Sequence, residues 1–247
     1  MHRFYIPAAD WNPDQLLLSP EESHHAMDVL RLERGQRVVV FNGTGTEITA
    51  EIAEATKGAV RLKAQQTART PRLKAAITLG QAIPKGKNMD LIVQKATELG
   101  ATIIAPLLSE RTVVQIDSGD SEKKRAKWQE IVVEAAKQCG QNWLPEVAKP
   151  LSPKAFFDQG TRYDLMLIAS LQQDARPLKS VLAAVEKETG KPPASVLILV
   201  GPEGDFTPAE IALAKSHGCH PITLGPIVLR TETASLYCLS VLAHELF

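Results

Sequence analysis

Two glycine-proline loops, each placed after an apolar run, are the segments of this chain best suited to hold a ligand. They are "LVGPEGDFTPAE" at residues 199–210 and "ITLGPIVLRTETA" at residues 222–234. Glycine permits backbone conformations and close approaches that side chains forbid. Open α/β sheets bind ligands beyond the carboxyl ends of their strands, so two such loops on neighbouring strands are expected to hold one ligand, mainly through backbone groups. Either loop alone is also consistent with a purely structural turn.

Strands and helices must position these loops. Residues 196–200 are β-branched and leucine-rich, which is typical of a fully buried strand. Thr207, Pro208 and Glu210 then form the pattern of a capping box with proline at the first helical position. From residue 75 onwards, strand-like runs alternate with helical patterns. Strands are expected at 75–83, 102–107, 164–169, 195–200 and 220–225, and helices at 88–99, 121–139, 175–188, 208–217 and 233–246. This alternation predicts an α/β fold with a mostly parallel sheet covered by helices.

The first 66 residues have a different periodicity. Short alternating runs predict a small β-rich module with one helix near residues 20–32. "NGTGTE" at 42–47 lies between two strand-like runs, so it predicts a glycine-containing hairpin and not a nucleotide-binding loop. The polar, basic segment that follows is broken by Pro71 and is interpreted as a linker. The predicted domains are 1–68 and 75–247, with the linker at 69–74.

Two helices of the second half carry further signals. Asn88 is expected to cap the helix at 88–99, and Gly100 is expected to end it. The last helix, "TASLYCLSVLAHELF", is apolar on most of its circumference. Such a helix must be buried, either by the fold or by a second subunit.

The net charge and the local distribution of charge give different indications about binding to nucleic acid. The chain has 28 basic and 28 acidic residues, which argues against the broad basic surface of a nonspecific nucleic-acid binder. Between residues 69 and 95, however, six basic residues accompany one acid, Asp90. They are Arg69, Arg72, Lys74, Lys85, Lys87 and Lys95. A phosphate-binding strip and a solvated linker explain this excess equally well.

Several classes of site are not expected. The three cysteines are scattered and form no CxxC, and the adjacent His24 and His25 point in different directions. In "HGCH" at 217–220 the glycine is read as a helix stop and His220 as a strand start, so no metal site is expected. No apolar run is long enough to span a membrane, and the N-terminal residues lack the pattern of a signal peptide. A cytoplasmic location is therefore expected.

Three motifs, behind a module that begins "HRFYIP", together carry a resemblance to a known family. They are "KATELGATIIAPLLSERTV" at 95–113, "GPEGDFTPAE" at 201–210 and "LGPIVLRTETA" at 224–234. Over nearly its whole length the sequence resembles the ribosomal RNA small subunit methyltransferase E family of the SPOUT class. The resemblance implies a PUA-like RNA-binding domain followed by an α/β domain with a C-terminal trefoil knot. It further implies a homodimer that uses S-adenosyl-L-methionine to methylate N3 of one uridine in the decoding region of 16S rRNA, with free 16S rRNA or the small ribosomal subunit as substrate.

The chemistry of this reaction suggests roles for individual residues, and the matching motifs imply the cofactor contacts. Arg230 is expected to stabilise an N3 anion and Glu232 to accept the proton, while Glu203 is an alternative base or a ribose ligand. RNA contacts are expected from Arg3, Arg31, Lys85, Lys87, Lys95 and Arg111. Cofactor contacts are expected from both loops, at Leu199, Val200, Gly201, Pro202, Glu203, Gly204, Leu224, Gly225, Leu229, Thr231, Thr233 and Ala234.

The sequence departs from the family pattern at three positions. Asp205 stands where glycine is usual, whereas Gln141 and Ile227 stand where arginine is common. Losing two arginines removes two bidentate contacts, which supports an alternative function as a noncatalytic RNA-binding ribosome assembly factor. The two intact loops favour an enzyme instead. A nicotinamide-dependent oxidoreductase is excluded because no glycine fingerprint joins the first strand and helix of the α/β half.

Overall fold

The computed structural model describes residues 1–56, 58–113 and 118–247. Backbone contacts divide the chain into two compact units. The first comprises Met1–Arg72 and Val133–Leu144, and the second comprises Leu73–Val132 and Pro145–Phe247. The ranges 1–68, 69–74 and 75–247 remain predictions of domain limits. No helix within the described ranges is both long and apolar enough to cross a membrane.

The first unit is built on a five-stranded sheet of order β1-β3-β4-β5-β2, in which only the β1–β3 pair is parallel. Its helical part is short: α1 is followed by a π-helical turn whose Ala26 is buried in the same core as Val38 and Ile52. The elements are β1 (Arg3–Tyr5), β2 (Leu16–Leu17), α1 (Pro20–His24), the π-helical turn (His25–Val29), β3 (Arg37–Phe41), β4 (Thr46–Thr56) and β5 (Ala59–Arg69). The prediction of a small β-rich module is confirmed.

The turn between β3 and β4 is the predicted glycine hairpin. Gly43 and Gly45 have φ values of 75° and 91°, a region that glycine adopts without strain. A Cβ atom on Gly45 would lie 2.4 Å from the ring of Trp143. Gly45 is therefore needed both for the turn and for the close packing of the segment that carries Trp143.

A partly buried polar cluster joins distant parts of the first unit. Arg3 donates hydrogen bonds to Glu47 Oε2 at 2.8 Å and to Asn142 Oδ1 at 2.5 Å. Asn142 Nδ2 in turn donates to Glu47 at 3.0 Å. Burial would raise the pKa of Glu47, but the hydrogen bonds from Arg3 and Asn142 and the charge of Arg3 outweigh it and lower the pKa.

The lowered pKa of Glu47 predicts that part of the stability of the fold is lost in acid. The pKa of Glu47 is lower in the folded than in the unfolded chain. Its contribution to the stability of the fold is therefore present above pH 4.5 and is lost as the pH falls through the pKa of the folded state. Glu47→Gln should lower the free energy of unfolding at pH 7 by about 1–3 kcal/mol, since Arg3 keeps a weaker partner. Denaturant unfolding of the unsubstituted protein and of Glu47→Gln, measured between pH 7 and pH 3, should show that their difference in free energy of unfolding becomes smaller as the pH falls. The exposed pair of Glu54 with Arg61 supplies the control, and an effect of Glu54→Gln equal to that of Glu47→Gln would contradict the account.

The second unit contains a seven-stranded sheet of order β10-β12-β9-β11-β6-β7-β8, and every neighbouring pair is parallel. The strands are β6 (Ala76–Ala82), β7 (Ile103–Leu107), β8 (Glu146–Val147), β9 (Leu165–Ala169), β10 (Arg176–Pro177), β11 (Ser195–Val200) and β12 (His220–Thr223). The helices are α2 (Asn88–Glu98), α3 (Ser118–Cys139), α4 (Pro153–Phe157), α5 (Leu178–Thr189), α6 (Pro208–Ser216) and α7 (Thr231–Leu246). The prediction of an α/β fold with a mostly parallel sheet is confirmed, whereas the trefoil knot stays a prediction.

Local signals set several helix boundaries. The capping box is present at α6, where the Thr207 hydroxyl accepts from Glu210 N and the Glu210 carboxylate accepts from Thr207 N. The capping role expected of Asn88 is wrong. Lys87 is the N-cap of α2 and makes no side-chain capping bond, because the Asn88 amide is directed towards Glu232. The helix expected from residue 175 begins at Leu178, since Arg176–Pro177 pairs with β12 as β10.

Candidate functional site

A cavity of about 300 Å³ lies where the carboxyl ends of β9, β11 and β12 meet. The expectation that the two glycine-proline loops follow neighbouring strands is wrong, because β9 lies between β11 and β12. All three strands are parallel, so the segments that follow them still emerge at the same edge of the sheet. The lining residues come from these segments and from the start of α7. They are Ala169, Ser170, Leu171, Val200, Gly201, Pro202, Glu203, Asp205, Thr223, Leu224, Gly225, Ile227, Val228, Leu229, Arg230, Thr231 and Ala234.

The loop after β11 is a tight turn. Asp205 N donates to Pro202 O at 2.9 Å, and the Asp205 carboxylate accepts from Phe206 N at 2.7 Å. Asp205 has a φ of 61°, which aspartate tolerates better than most residues because its short side chain hydrogen-bonds locally. The aspartate that replaces the usual glycine therefore preserves this turn, with a side-chain hydrogen bond that glycine cannot make.

The loop after β12 also depends on a glycine. Gly225 has a φ of 119°, where a side chain would be strained. The Thr223 hydroxyl approaches the Gly225 N and O atoms at 3.4 and 3.3 Å and thereby stabilises the turn. The loop continues through exposed Ile227 and Val228 to Arg230, which is the N-cap residue of α7.

A buried hydrogen-bond network holds the two loops together. Thr231 Oγ1 donates to Gly201 O at 2.6 Å and accepts from Gln81 Nε2 at 3.1 Å. Gln81, on β6, is fully buried and also donates to Ala82 O at 2.8 Å. Ser235 Oγ lies within hydrogen-bond distance of Gln81 Oε1 and of Thr231 O. The network joins β6, the first loop and the start of α7, so the cavity walls are preorganised.

Three charged groups stand near the cavity with different partners. Glu203 is exposed and accepts from the backbone N–H of Lys85 at 2.9 Å. Glu232 is half-buried and accepts from Asn88 Nδ2 at 3.3 Å. The exposed Arg230 forms no ion pair or side-chain hydrogen bond with a described residue. Arg230, Glu203 and Asp205 line the cavity, whereas Glu232 does not. The lining thus combines charged groups with apolar side chains and two glycines, which suits a ligand that has apolar and polar parts.

The residues expected to bind a cofactor divide into two groups. Nine line the cavity: Val200, Gly201, Pro202, Glu203, Leu224, Gly225, Leu229, Thr231 and Ala234. Leu199, Gly204 and Thr233 do not line it. Leu199 is buried in the core below the loop, where its side chain occupies the space that a Cβ atom on Gly80 would need. For all twelve residues, contact with a cofactor stays a prediction.

The residues expected to contact RNA lie in different environments. Arg3 is in the partly buried pair with Glu47, and Lys95 is paired with Glu98 at 2.8 Å, so neither is a free cation. The Arg111 guanidinium donates to Gly204 O and is thereby drawn to the first loop. The remaining three, Arg31, Lys85 and Lys87, are exposed.

Sequence analysis missed two contributions to the site. Ala169, Ser170 and Leu171 line the cavity because β9 lies between β11 and β12, and the apolar run before Ser170 was the signal that they end a strand at the same edge. Gln81 was missed because a glutamine in an apolar strand carries no local sign of its partners. Within the described ranges no group of three or more His, Cys, Asp or Glu is arranged to hold a metal ion.

Family models match both parts of the chain. A model described as an RNA methyltransferase domain matches residues 71–243, which is more than half of the sequence. A second model, described as an RNA methyltransferase PUA domain, matches residues 18–65. The first match contains both cavity loops.

Similar proteins agree with these matches over nearly the full length. Ribosomal RNA small subunit methyltransferase E of Bacillus subtilis is 31% identical over 99% of this chain and 97% of its own. Among solved structures, the enzyme of the same name from Neisseria gonorrhoeae, bound to S-adenosyl methionine, has a TM-score of 0.87 and 30% identity, covering 99% of this chain and 98% of its own. A Legionella pneumophila protein with bound cofactor SAM has a TM-score of 0.88 and 36% identity at the same coverage. The chain belongs to the ribosomal RNA small subunit methyltransferase E family.

Proposed function

We propose that this protein uses S-adenosyl-L-methionine to methylate N3 of one uridine in the decoding region of 16S rRNA. The observation that carries the proposal is the cavity formed by the two glycine-proline loops, which lies inside the match to the RNA methyltransferase domain. Relatives that share the fold over almost the whole chain have S-adenosyl methionine bound. The choice of uridine N3 rests on the resemblance of the three sequence motifs.

The residues of the cavity fit this cofactor. A volume of about 300 Å³ is in the lower range of small-molecule sites. Val200, Leu224 and Leu229 provide apolar walls for an adenine ring. Gly201 and Gly225 line the cavity without side chains, so backbone groups of the two loops are proposed as hydrogen-bond partners for adenine and ribose, and Glu203 is proposed as the partner of a ribose hydroxyl. When bound, the cofactor supplies a methyl group activated by a positively charged sulfur.

Arg230 is proposed as the catalytic cation. Uracil loses its N3 proton in the reaction, and the resulting charge spreads onto its two carbonyl oxygens. Arg230 lines the cavity, is exposed and has no described anionic partner, so its guanidinium is free to donate to such an oxygen. A fixed cation next to developing negative charge is among the largest contributions an enzyme makes to lowering a barrier.

Glu232 is proposed as the group that accepts the N3 proton, directly or through one water. It lies two residues after Arg230 in the first turn of α7, and Asn88 orients its carboxylate through Oε2. Glu203 is the competing base, but the hydrogen bond from Lys85 N holds its carboxylate at the loop after β6. We assign Glu203 to ribose binding and Glu232 to proton transfer.

The substrate must present an unstacked uridine, because a base in a helical stack cannot bring N3 to a buried methyl donor. We propose that residues 1–68 form the PUA-like RNA-binding domain and that residues 75–247 form the methyltransferase domain with its trefoil knot. A homodimer and a cytoplasmic location complete the proposal and rest on the family resemblance. Exposed Arg31, Lys85 and Lys87 are proposed to contact phosphates.

Calorimetric titration with S-adenosyl-L-methionine distinguishes this function from the alternative. An enzyme should show saturable binding with one site per chain. A noncatalytic ribosome assembly factor, which the absence of two family arginines at Gln141 and Ile227 supports, should bind 16S rRNA without binding the cofactor. RNA binding without cofactor binding would therefore favour the assembly factor.

A further inference from the structure

An open cleft of about 460 Å³ lies in the first unit, outside the range matched by the PUA model. It is lined by Arg69, Thr70, Pro71, Arg72 and Trp143. No acidic side chain is among these residues. Arg69 and Arg72 are exposed, and neither forms an ion pair with a described residue. The cleft therefore presents two uncompensated positive charges beside an aromatic ring.

Arg72 is stacked on Trp143. Its guanidinium carbon lies 3.9 Å from the centre of the indole ring, which is close for a cation–π contact. A guanidinium carbon this close to the ring centre places one side of the planar group against the indole, and Arg72 as a whole is exposed to solvent. A planar cation held flat in this way has lost much of the side-chain entropy that binding would otherwise cost.

Hydrogen bonds and close packing hold Trp143, on which Arg72 is stacked, in position. Trp143 Nε1 donates to Thr70 O at 2.9 Å, and the ring packs on Gly45, where no Cβ atom fits. Next to it, Asn142 is buried and donates to Thr70 Oγ1 at 2.8 Å. Trp143 and Asn142 therefore attach the segment after α3 to the end of β5. This attachment keeps the Trp143 ring next to Arg72.

We propose that this cleft binds one nucleotide of the RNA substrate, with the base stacked on the face of the Arg72 guanidinium opposite Trp143 and a flanking phosphate on Arg69. Single-stranded nucleic acids are held by this combination of a flat stacking surface and a cation for the backbone. The inference rests on the proposed function, since it assigns the cleft to the same RNA. The cleft is a substrate-binding surface and takes no part in methyl transfer.

Salt-dependent binding of 16S rRNA transcripts tests the cleft with matched variants. Arg69→Gln should lower the slope of log affinity against log salt by about 0.7–1, the effect of one lost phosphate contact. Arg72→Gln removes the stacking surface and should lower affinity about tenfold. Arg72→Lys keeps the charge but loses the flat stack, so affinity should fall about tenfold with an unchanged slope. Arg162→Gln removes an exposed charge that lines neither the cleft nor the cavity and is assigned no RNA contact, and it should leave affinity and slope unchanged.

The outcomes separate this proposal from the proposed function. Cofactor binding should be the same in all four variants, because the cleft does not share residues with the cavity. If the unsubstituted protein methylates rRNA and the Arg69 and Arg72 variants bind RNA like Arg162→Gln, the cleft proposal alone is overturned. If the unsubstituted protein binds S-adenosyl-L-methionine but not 16S rRNA, both proposals fail.

Discussion

Replacing Arg230 with alanine is expected to reduce the rate of methyl transfer about 10²- to 10³-fold, with the dissociation constant of S-adenosyl-L-methionine changed less than about twofold. The expected loss is large because Arg230 is the cavity residue positioned to neutralise charge that appears only in the transition state. Its side chain forms no described ion pair, so alanine leaves no buried partner unsatisfied and the fold should persist. Single-turnover transfer of labelled methyl to rRNA, together with calorimetry, measures both quantities.

Three further variants help to interpret the Arg230 result. Arg230→Lys keeps the charge but loses the planar donor pair, so its rate should lie between those of the unsubstituted protein and Arg230→Ala. Glu232→Gln should slow the reaction and shift its dependence on pH, whereas Glu203→Gln should weaken cofactor binding and leave that dependence unchanged. A rate for Arg230→Ala within about twofold of the unsubstituted protein would remove Arg230 from the chemistry.

Ala234→Phe should weaken binding of S-adenosyl-L-methionine more than about 100-fold, a loss of roughly 2.7 kcal/mol. Ala234 is buried in the first turn of α7 and lines the cavity, so a phenyl ring placed there takes volume that the cofactor needs. Gly201 is a poorer position for this test. A Cβ atom there would lie only 3.0 Å from Phe206 N, so a large side chain would displace the loop itself.

The control for Ala234→Phe is the same substitution at an exposed helical alanine. Ala126 lies on α3, is exposed and does not line the cavity, so Ala126→Phe should bind the cofactor like the unsubstituted protein. Thermal unfolding of each variant reports whether the chain is folded. Tight cofactor binding by a folded Ala234→Phe protein would place the cofactor elsewhere.

The parts of the fold that were predictable from sequence are those with local causes. The buried strand before Gly201, the capping box of Thr207 and Glu210, and the hairpin around Gly45 each follow from the conformational preferences of adjacent residues. Because both glycine-proline loops follow strands of one parallel sheet, their placement at one edge also followed from the alternation of elements.

The parts that were not predictable depend on residues far apart in the sequence. Arg3 was expected to contact RNA, but its partner Asn142 lies 139 positions away, and nothing near Arg3 indicates that pairing. The hydrogen bond between Gln81 and Thr231 joins residues 150 positions apart. The contribution of Ser170 to the cavity required the strand order, in which β9 lies between β11 and β12. Such contacts are set by the topology of the sheet and not by local propensity.

The most direct test of the proposed function is methylation of small ribosomal subunits and of free 16S rRNA prepared without the modification. Each is incubated with the protein and isotopically labelled S-adenosyl-L-methionine, the RNA is digested, and the labelled nucleoside is identified by mass spectrometry and mapped. We predict one labelled N3-methyluridine per 16S rRNA, located in the decoding region, and greatly reduced label with Arg230→Ala. Label on a different atom or base, or no label with a protein that binds the cofactor, would contradict the proposed function.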